Sequence, residues 1–272
     1  MKKWTAVLAA LCLLFAFTGA LAESNEGEVR VITPVDEEMT EAISIAPYVP
    51  ENLDKAVIGS DDRITINNPS QYPYSAIAYM EAEGHCGCEW TGSAFMVSPS
   101  WLMTAGHCLY CTDHNEWAKT IDFYFGYKSR KNCYYRYEGR WTAWVSNAVV
   151  SGGNYSQDDY GYVKLEKRVG DKTGWFGMRM LSDSEISYSW YNVVGYRHGV
   201  IKRDYGMATV KNSKQIDHNA DTEGGYSGCP IFDDDYYAVA INTSHYIDES
   251  ANIGRRITSA LLSEMRSEGY EH

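Results

Sequence analysis

The stretch Glu223-Gly224-Gly225-Tyr226-Ser227-Gly228-Cys229-Pro230 places one serine among glycines in an aromatic-rich chain. Glycine accepts a positive φ and lets backbone N–H groups approach a ligand closely. Such a turn suits a nucleophile whose reaction needs donors aimed at a developing oxyanion. Gly-x-Ser-Gly also occurs in ordinary turns, so the stretch predicts a nucleophile only if a matching base and acid occur elsewhere.

The first 55 of the 272 residues differ in composition from the rest. Residues 1–22 combine Lys2 and Lys3, an apolar run too short to span a bilayer and a small-residue site at Ala20-Leu21-Ala22, which predicts a secretory signal. A membrane anchor is the alternative, but no stop-transfer pattern follows. Residues 23–55 are acidic, proline-containing and without an amphipathic period, so they are expected to be a leader or flexible linker. We therefore expect a secreted protein that has no membrane association once the signal is removed.

The formal net charge of −12 limits the classes of partner. An acidic surface does not favour nucleic acid or anionic lipid as the main partner, because both carry negative charge. Neither nucleic acid nor a membrane is therefore expected as a partner, and the charge itself identifies no other. No cofactor-binding motif is evident.

The cysteines that follow the signal favour disulfides, because an exported chain meets an oxidising compartment. The preferred pairs are Cys88 with Cys108 and, more weakly supported, Cys111 with Cys133, with Cys229 as a buried free thiol. The alternative is zinc, since His85-Cys86-x-Cys88 and His107-Cys108-x-x-Cys111-x-x-His114 have a spacing similar to that of zinc ligands. Oxidation competes with thiolate ligation, so no metal site is predicted.

From Val57 onward, short runs rich in Val, Ile and aromatic residues alternate with turn residues, which predicts an all-β sandwich or barrel. Only residues 257–268 have helical spacing. The expected strands are Ser75–Met80, Ser93–Val97, Trp101–Thr104, Ile121–Gly126, Trp141–Val150, Tyr160–Leu165, Tyr191–Tyr196, Gly206–Lys211, Pro230–Phe232 and Tyr237–Thr243. The 22 tyrosines and 8 tryptophans could serve a surface-binding module, but filling of sheet faces is the expected role for most of them.

Two further segments supply the partners that Ser227 requires. His107 follows a strand-like run within Met103-Thr104-Ala105-Gly106-His107-Cys108, and Asp159 precedes another in Asp158-Asp159-Tyr160-Gly161-Tyr162-Val163. Serine as nucleophile, histidine as base and aspartate as the partner of the imidazole make up one hydrolytic mechanism. Their order along the chain, His then Asp then Ser, is that of the chymotrypsin-type proteases.

These motifs resemble those of the bacterial glutamyl endopeptidases, which are secreted serine peptidases of the chymotrypsin fold. The resemblance covers about residues 56–263 and is carried by several separate segments in the same order. They are Val57-Ile58-Gly59-Ser60-Asp61-Asp62-Arg63, Tyr72-Pro73-Tyr74-Ser75-Ala76-Ile77, Thr104-Ala105-Gly106-His107-Cys108, Asp159-Tyr160-Gly161, Gly195-Tyr196 and Asp221-Thr222-x-Gly224-Gly225-x-Ser227-Gly228.

The resemblance implies a double β-barrel with a C-terminal helix and a secreted serine endopeptidase that acts through an acyl-enzyme. His107 would be the general base, Asp159 its orienting partner and Ser227 the nucleophile, with Asp158 as the competitor for the place of Asp159. The N–H groups of Gly225 and Ser227 would form the oxyanion hole. A mature start after Lys55 is also implied, with residues 23–55 as the propeptide and residues 56–272 as the protease domain.

The implied specificity pocket departs from the family. Thr222 matches the family's threonine, but Asn242 stands where a carboxylate-neutralising histidine is expected, with Thr243 and His245 as further residues of the pocket. Either His245 replaces that histidine, or the pocket no longer prefers glutamate. Asn242 donates hydrogen bonds without charge, and Asp221 and Glu223 add negative charge nearby. Cleavage after Glu or Asp is therefore one hypothesis. The same chemistry after basic or small polar residues is the second, and a non-catalytic binding module is the third.

Trp90 stands about where the family has a half-cystine, which leaves Cys86 or Cys88 as the partner of Cys108.

Overall fold

The computed structural model describes residues 27–32, 44–45, 63–152, 157–245 and 251–271. Its strands in the first part of the chain are β1 (Gly27–Ile32), β2 (Ser44–Ile45), β3 (Ile64–Thr65), β4 (Ile77–Gly84), β5 (Glu89–Met96), β6 (Trp101–Thr104), β7 (Tyr110–Cys111), β8 (Glu116–Phe125), β9 (Tyr135–Arg136), β10 (Trp141–Ser146) and β11 (Gly161–Leu165). Those in the second part are β12 (Gly177–Arg179), β13 (Ser189–Arg197), β14 (Val200–Asn212), β15 (Gln215–His218), β16 (Pro230–Phe232), β17 (Tyr237–His245) and β18 (Asn252–Arg256). The helices are α1 (Asn147–Val150), α2 (Gly170–Thr173), α3 (Asp183–Ile186) and α4 (Ser259–Ser267), and two 3₁₀ turns span Tyr74–Ala76 and Gly106–Cys108.

The strands form two sheets, one from each half of the chain. The first has the order β1-β10-β11-β6-β5-β4-β8-β7, with β9 on β8. In the second, the path β16-β13-β14-β15-β18-β17 closes because β16 also pairs with β17, and β12, β2 and β3 are added at its sides. The predicted all-β, chymotrypsin-like fold is confirmed. The second sheet is a closed barrel and the first is a half-barrel.

The predicted C-terminal helix is also present. The helix α4 begins after Thr258, whose side chain accepts a hydrogen bond from the N–H of Leu261 at 3.4 Å. An N-cap of this kind satisfies one of the first free N–H groups of a helix. Leu261, Leu262 and Met265 are buried on one face, as their spacing predicts.

Aromatic side chains fill the interior rather than the surface. Trp101 and Trp144 stack with ring centroids 5.2 Å apart, and Tyr162 stacks on Trp144 at 5.3 Å. Such pairs contribute about 0.5–1.5 kcal/mol beyond the area that they bury. The exposed large rings Tyr134, Tyr188 and Trp190 do not pack on one another in the described residues. Packing is therefore the role of most of these rings, as the sequence indicates.

Two strands lie in the acidic stretch 23–55, where no ordered structure was expected. The strand β1 pairs in parallel with β10, with Val29 opposite Ala143, and β2 pairs with β12. Sequence reasoning did not foresee these two strands, because an edge strand needs only backbone partners. Most β1 side chains are exposed, so a polar composition is compatible with the pairing.

The signal at 1–22, the cleavage point after Lys55 and the mature start at Ala56 lie outside the described residues. Among the helices that the structure describes, none has the length and apolar character that a membrane span requires.

Candidate active site

His107 lies in the 3₁₀ turn that follows β6, against the start of β11. Its Nδ1 is 2.7 Å from Oδ2 of Asp159, and its backbone N–H donates to Oδ1 of the same carboxylate at 3.0 Å. A Cβ on Gly106 would lie 2.8 Å from the carbonyl oxygen of Tyr160, so only glycine permits this approach. The turn and the carboxylate therefore fix the imidazole orientation from two sides, which leaves Nε2 as the nitrogen for a substrate proton.

Asp159, rather than its neighbour Asp158, is the carboxylate that meets His107. Asp159 is only 2% exposed. The Asp158 carboxylate instead lies 3.1 Å from Lys214 Nζ and 3.5 Å from Arg255 Nη2. The geometry thus separates the two candidates, because the two carboxylates meet different partners.

The pKa of His107 is raised well above its ordinary value. Burial is the largest influence and lowers the pKa, but the Asp159 charge, contact with Cys108 and the hydrogen bond that His107 donates to Asp159 together outweigh it. A nearby carboxylate stabilises the imidazolium that forms when the base takes a proton.

The loop that carries Ser227 requires glycine at two of its positions. Gly225 and Gly228 have φ values of +104° and +85°. A Cβ on Gly228 would meet the Ser93 carbonyl oxygen at 2.1 Å, because the loop packs directly on β5. The Ser227 hydroxyl donates to the Thr243 carbonyl at 3.4 Å. This bond is long, and loose hydrogen bonds at a nucleophile are common before substrate binds.

The loop brings Ser227 beside the turn that carries His107. The thiol of Cys108 donates to the Ser227 carbonyl at 3.6 Å, and the Ser93 N–H donates to the same oxygen at 2.8 Å. Sequence reasoning brought together His107, Asp159 and Ser227, and the structure places all three at one junction between the sheets.

The predicted oxyanion donors are the N–H groups of Gly225 and Ser227. Within the described residues, neither of these N–H groups has an acceptor. In the peptide group that contains the Gly225 N–H, the Gly224 carbonyl accepts a hydrogen bond from Nη1 of Arg197 at 2.9 Å. Two free donors on a glycine-rich loop are what a developing oxyanion requires.

Ser93 on β5 holds the Ser227 loop in place by hydrogen bonds. This role was not predicted from the sequence. The Ser93 hydroxyl donates to the Gly225 carbonyl at 2.9 Å and accepts from the Tyr196 N–H at 3.0 Å. Its carbonyl accepts from the Thr104 hydroxyl at 2.8 Å. A lone serine within a strand has no local signature for such a role, since its partners are more than a hundred residues distant.

The side chain of Asn242 is buried and hydrogen-bonded within the protein. Its Oδ1 lies 3.0 Å from Nε2 of His218, and its Nδ2 donates to the Tyr226 carbonyl at 3.3 Å. Asn242 and His218 are each 3% exposed. The expectation that Asn242 donates directly to a substrate carboxylate is therefore not supported, because its amide group is already paired.

His218 on β15 is the second residue that sequence reasoning missed. Burial lowers its pKa to about 4, against smaller opposing influences from Asn242 and Asp204. The ring is thus neutral near pH 7, and its Nδ1 has no partner among the described residues. An isolated histidine between polar residues gives no signal in sequence.

Thr222 and Thr243 belong to the predicted specificity pocket, and the hydroxyl groups of both are hydrogen-bonded within the protein. Thr222 donates to Oδ1 of Asn252 at 2.8 Å, and Thr243 donates to the Ile253 carbonyl at 3.0 Å. His245 ends β17 opposite Asn252, but its side chain lies outside the described residues.

Less uncompensated negative charge lies near the Ser227 loop than the sequence indicates. The Glu223 carboxylate forms ion pairs with Arg63 and, at 2.6 Å, with Nε of Arg197. Asp221 lies on the surface. The described residues therefore provide no buried, unpaired carboxylate that would attract a basic side chain here.

The predicted disulfides do not form, and the six cysteines after the signal are free. In place of a half-cystine, Trp90 donates its indole N–H to the Cys108 carbonyl at 2.8 Å, and the Cys108 thiol turns toward Ser227. Cys88 lies instead with His114, at 3.2 Å from its Nδ1. Cys229 is buried and free, as predicted.

Comparison with known proteins gives two relatives of similar identity. No protein-family model matches the chain. An extracellular metalloprotease of Bacillus subtilis is 28% identical over 313 residues, which cover 97% of this chain and 96% of that protein. A glutamyl endopeptidase of Bacillus licheniformis is 28% identical over 226 residues, which cover 78% of this chain and 68% of that protein.

Solved structures share the fold. A Glu endopeptidase in complex with MPD has a TM-score of 0.65 at 21% identity and covers 78% of this chain and 99% of its own. The protease Anisep from Arthrobacter nicotinovorans has a TM-score of 0.59 at 20% identity, covering 73% and 97%. The chain is thus similar in sequence to the B. licheniformis glutamyl endopeptidase and shares its fold with serine proteases, and together these likenesses support a chymotrypsin-like serine endopeptidase.

Proposed function

We propose that the chain hydrolyses peptide bonds through an acyl-enzyme formed on Ser227. The observation that carries the proposal is the His107–Asp159 pair, held by two hydrogen bonds beside the Ser227 loop. The Ser227 oxygen attacks the scissile carbonyl while His107 takes the hydroxyl proton and then gives it to the leaving amine. Water next attacks the ester with the same base, and this restores the serine.

The donors Gly225 N–H and Ser227 N–H support the tetrahedral intermediate in this proposal. Both lie on one loop and both are free of other acceptors in the region that the structure describes. Preorganised donors of this kind contribute more to the rate than donors that must first leave another partner.

Labelling with a fluorophosphonate tests the proposed nucleophile. We expect one adduct on Ser227 of the mature enzyme and none in Ser227→Ala, with turnover lower by about 10⁶. Ser98→Ala, which changes a buried serine in the loop between β5 and β6, is the matched control and keeps the label. An unlabelled parent enzyme whose peptide cleavage stops at once on chelation would instead indicate metal-dependent hydrolysis, as the name of the B. subtilis relative states for that protein.

The raised pKa of His107 gives a second test, through pH. The imidazole must be neutral to take the serine proton, so kcat/KM falls as pH drops through the folded pKa, which lies above 6.5. We expect the acidic limb of the kcat/KM profile of the parent to lie above pH 6.5. An acidic limb below pH 6 would contradict the assignment of His107 as a base paired with Asp159.

We further propose that cleavage occurs after glutamate or aspartate. The names of the B. licheniformis relative and of one structural neighbour support this preference. The pairing of Glu223 with Arg63 and Arg197 also supports it, because it removes the negative charge that a basic substrate residue would need. A preference for uncharged polar residues is the second candidate, favoured by the neutral His218–Asn242 pair.

Matched peptides that differ only in Glu, Gln or Lys before the scissile bond separate these preferences. For a glutamyl enzyme we expect kcat/KM to be at least about tenfold higher for Glu than for Gln, since a charge-assisted hydrogen bond is about twice as strong as a neutral one. Equal rates for Glu and Gln would favour the second candidate, and fastest cleavage after Lys would contradict both.

Export and processing complete the proposal. The chain is expected to be secreted as a monomer after removal of residues 1–22, with residues 23–55 as propeptide and cleavage after Lys55. Protein or peptide substrates follow from the protease relatives, and nucleic acid and membrane are not expected as partners. Amino-terminal sequencing of the secreted enzyme tests the boundary, and a start other than Ala56 would move it.

A further inference from the structure

Four side chains with metal-binding atoms meet on the first sheet, apart from the hydrolytic residues. Each of Cys86, Cys88, Cys111 and His114 contributes one such atom, and all four atoms lie within 4.8 Å of one another. His114 Nδ1 lies 3.2 Å from the Cys88 sulfur and 3.6 Å from the Cys111 sulfur. Tetrahedral zinc requires about 3.8 Å between two sulfurs and about 3.6 Å between a sulfur and a nitrogen.

Sheet pairing brings these residues together from two hairpins. Cys86 and Cys88 lie in the turn between β4 and β5, where Gly87 has a φ of +79°. Cys111 ends β7, and His114 lies in the turn that leads to β8. Because β4 and β8 are neighbours, with Gly84 opposite Ala118, both turns occur at the same end of the sheet.

The backbone between the two turns is also bonded, which holds the four donors in place. The N–H of His85 donates to the Trp117 carbonyl at 3.3 Å, and the Gly84 N–H donates to the Cys88 carbonyl at 2.9 Å. Each turn thus supplies two donors at short spacing, Cys-x-Cys from one and Cys-x-x-His from the other. Two pairs of closely spaced donors from two turns are typical of structural zinc sites, although the Cys-x-Cys pair is one residue shorter than the usual Cys-x₂₋₄-Cys.

We propose that Cys86, Cys88, Cys111 and His114 bind one Zn²⁺. Three thiolates and one imidazole form a soft sulfur–nitrogen donor set that suits zinc better than calcium or magnesium. The three thiols lose their protons to solvent on binding, and His114 binds through Nδ1 with its proton on Nε2. The protein fills all four positions, so this zinc is structural and leaves no open position for a catalytic water.

The site would fasten the segment that carries His107. Cys111 follows His107 by four residues, and the zinc would join it to the turn that precedes β5 and Trp90. The Trp90 indole already bonds the Cys108 carbonyl at 2.8 Å. Zinc and indole together would replace the disulfide that this region lacks.

Zinc content of the secreted, processed enzyme, purified without reductant or added metal, tests the proposal. We expect one zinc per chain in the parent and less than about one-tenth of that in Cys88→Ser and in His114→Ala. Cys133→Ser removes a thiol outside the cluster and is the matched control that keeps the zinc. A metal-free parent, or a Cys88→Ser variant that keeps its zinc, would overturn the proposal.

Two measurements on the parent enzyme cover the case in which the variants do not fold. Exchange of zinc for Co²⁺ should give the visible absorption of a tetrahedral thiolate complex. Peptide mapping without reduction should show Cys86, Cys88 and Cys111 unlinked, and a disulfide among them would overturn the zinc site. Neither readout depends on proteolysis, so the zinc site can fail while the proposed function holds, and the reverse.

Discussion

The orientation of one peptide group at the nucleophile loop depends on Arg197. In a planar trans peptide, the carbonyl and the N–H point in opposite directions. The guanidinium holds the Gly224 carbonyl at 2.9 Å, so it also sets where the Gly225 N–H points. Glu223 in turn holds the guanidinium at 2.6 Å. Arg197 is thus a positioning residue for the proposed oxyanion hole.

Replacing Arg197 by methionine should lower kcat about 10- to 100-fold with little change in KM. The donor remains but loses its fixed direction, so the loss is smaller than the 10²–10³ typical of removing a donor. Steady-state kinetics on a good peptide substrate measures the effect. Arg168→Met, which removes an exposed guanidinium paired with Asp171, is the control and should leave both constants unchanged. A rise in KM at constant kcat would instead indicate that Arg197 binds substrate.

His218 should make stability depend on pH below neutrality. The unfolded residue binds a proton below about pH 6.5, whereas the folded residue stays neutral down to about pH 4. The unfolded state therefore binds more protons in this window, and stability falls as pH drops from 6.5 toward 4. We expect the parent to lose about 2–3 kcal/mol more than His218→Gln between pH 7 and pH 4.5.

Urea unfolding of both proteins at the two pH values measures this difference. His198→Asn replaces an exposed histidine at a positive φ that asparagine tolerates, and its pH dependence should match the parent. Equal pH dependence in His218→Gln and the parent would contradict the depressed pKa.

At the scale of residues, sequence could predict those whose types and order along the chain match a known hydrolytic mechanism. His107, Asp159 and Ser227 are such residues, and the structure brings them together. Asn242 is predicted to lie at the pocket wall, but its bonds to His218 and Tyr226 could not be foreseen, because each partner comes from another strand or loop. The cluster of Cys86, Cys88, Cys111 and His114 also combines residues from separate turns, and for these cysteines the sequence led to a prediction of disulfides instead.

At the scale of elements, the strand β1 adds an unforeseen neighbour to the first sheet. It covers the edge of β10 over its whole length, from Gly27 opposite Trp141 to Ile32 opposite Ser146. The guanidinium of Arg30 lies 5.5 Å from the Trp144 ring centroid. If residues 23–55 are the propeptide, this strand binds the enzyme by β-augmentation until cleavage releases it.

Proline at both positions 28 and 29 should destabilise the precursor but not the mature enzyme. One of two consecutive residues on an edge strand turns its N–H to the neighbour, so Glu28→Pro with Val29→Pro removes at least one ladder bond. We expect the melting temperature of the precursor to fall by about 2 °C or more. Mature enzyme from the same gene is the control, because cleavage after Lys55 would remove both positions. An unchanged precursor would show that β1 adds no stability.

Strands that are short, mostly apolar runs could be predicted from sequence, and those with buried charge could not. Trp101–Thr104 and Pro230–Phe232 are predicted with the observed bounds. Asn252–Arg256 was not predicted as a strand, because Arg255 and Arg256 indicate a surface. Both are buried, and Arg256 donates to Asp183, to the Leu181 carbonyl and to the Asn212 carbonyl. These tertiary partners offset the free-energy cost of burying a charged side chain, and they cannot be identified from the sequence of the strand.

At the scale of the whole molecule, Ser93 joins the two sheets at the nucleophile loop. Its hydroxyl bonds reach Gly225 and Tyr196 in the second half of the chain, and its N–H reaches the Ser227 carbonyl. The serine is fully buried, so these bonds have no competition from water.

Ser93→Ala should therefore weaken both the fold and the reaction. It leaves the Gly225 carbonyl and the Tyr196 N–H without their hydroxyl partner, at about 1–3 kcal/mol for each buried group. We expect the free energy of unfolding to fall by about 2–5 kcal/mol and kcat to fall more than KM changes. The control is Ser98→Ala, whose buried hydroxyl accepts only a long bond of 3.4 Å from the Ser100 N–H. A loss of stability with unchanged kcat would limit Ser93 to a packing role.

The bonds of Ser93 also have a consequence for the order of folding. They span 132 and 103 residues of sequence, so they form only after both halves of the chain have collapsed and docked. Contacts of such separation form late, because the entropy of closing the intervening loop must first be overcome. Recovery of peptide cleavage after refolding should consequently lag behind the recovery of β-sheet circular dichroism. A newly exported chain would then be harmless to its neighbours until its own folding is nearly finished.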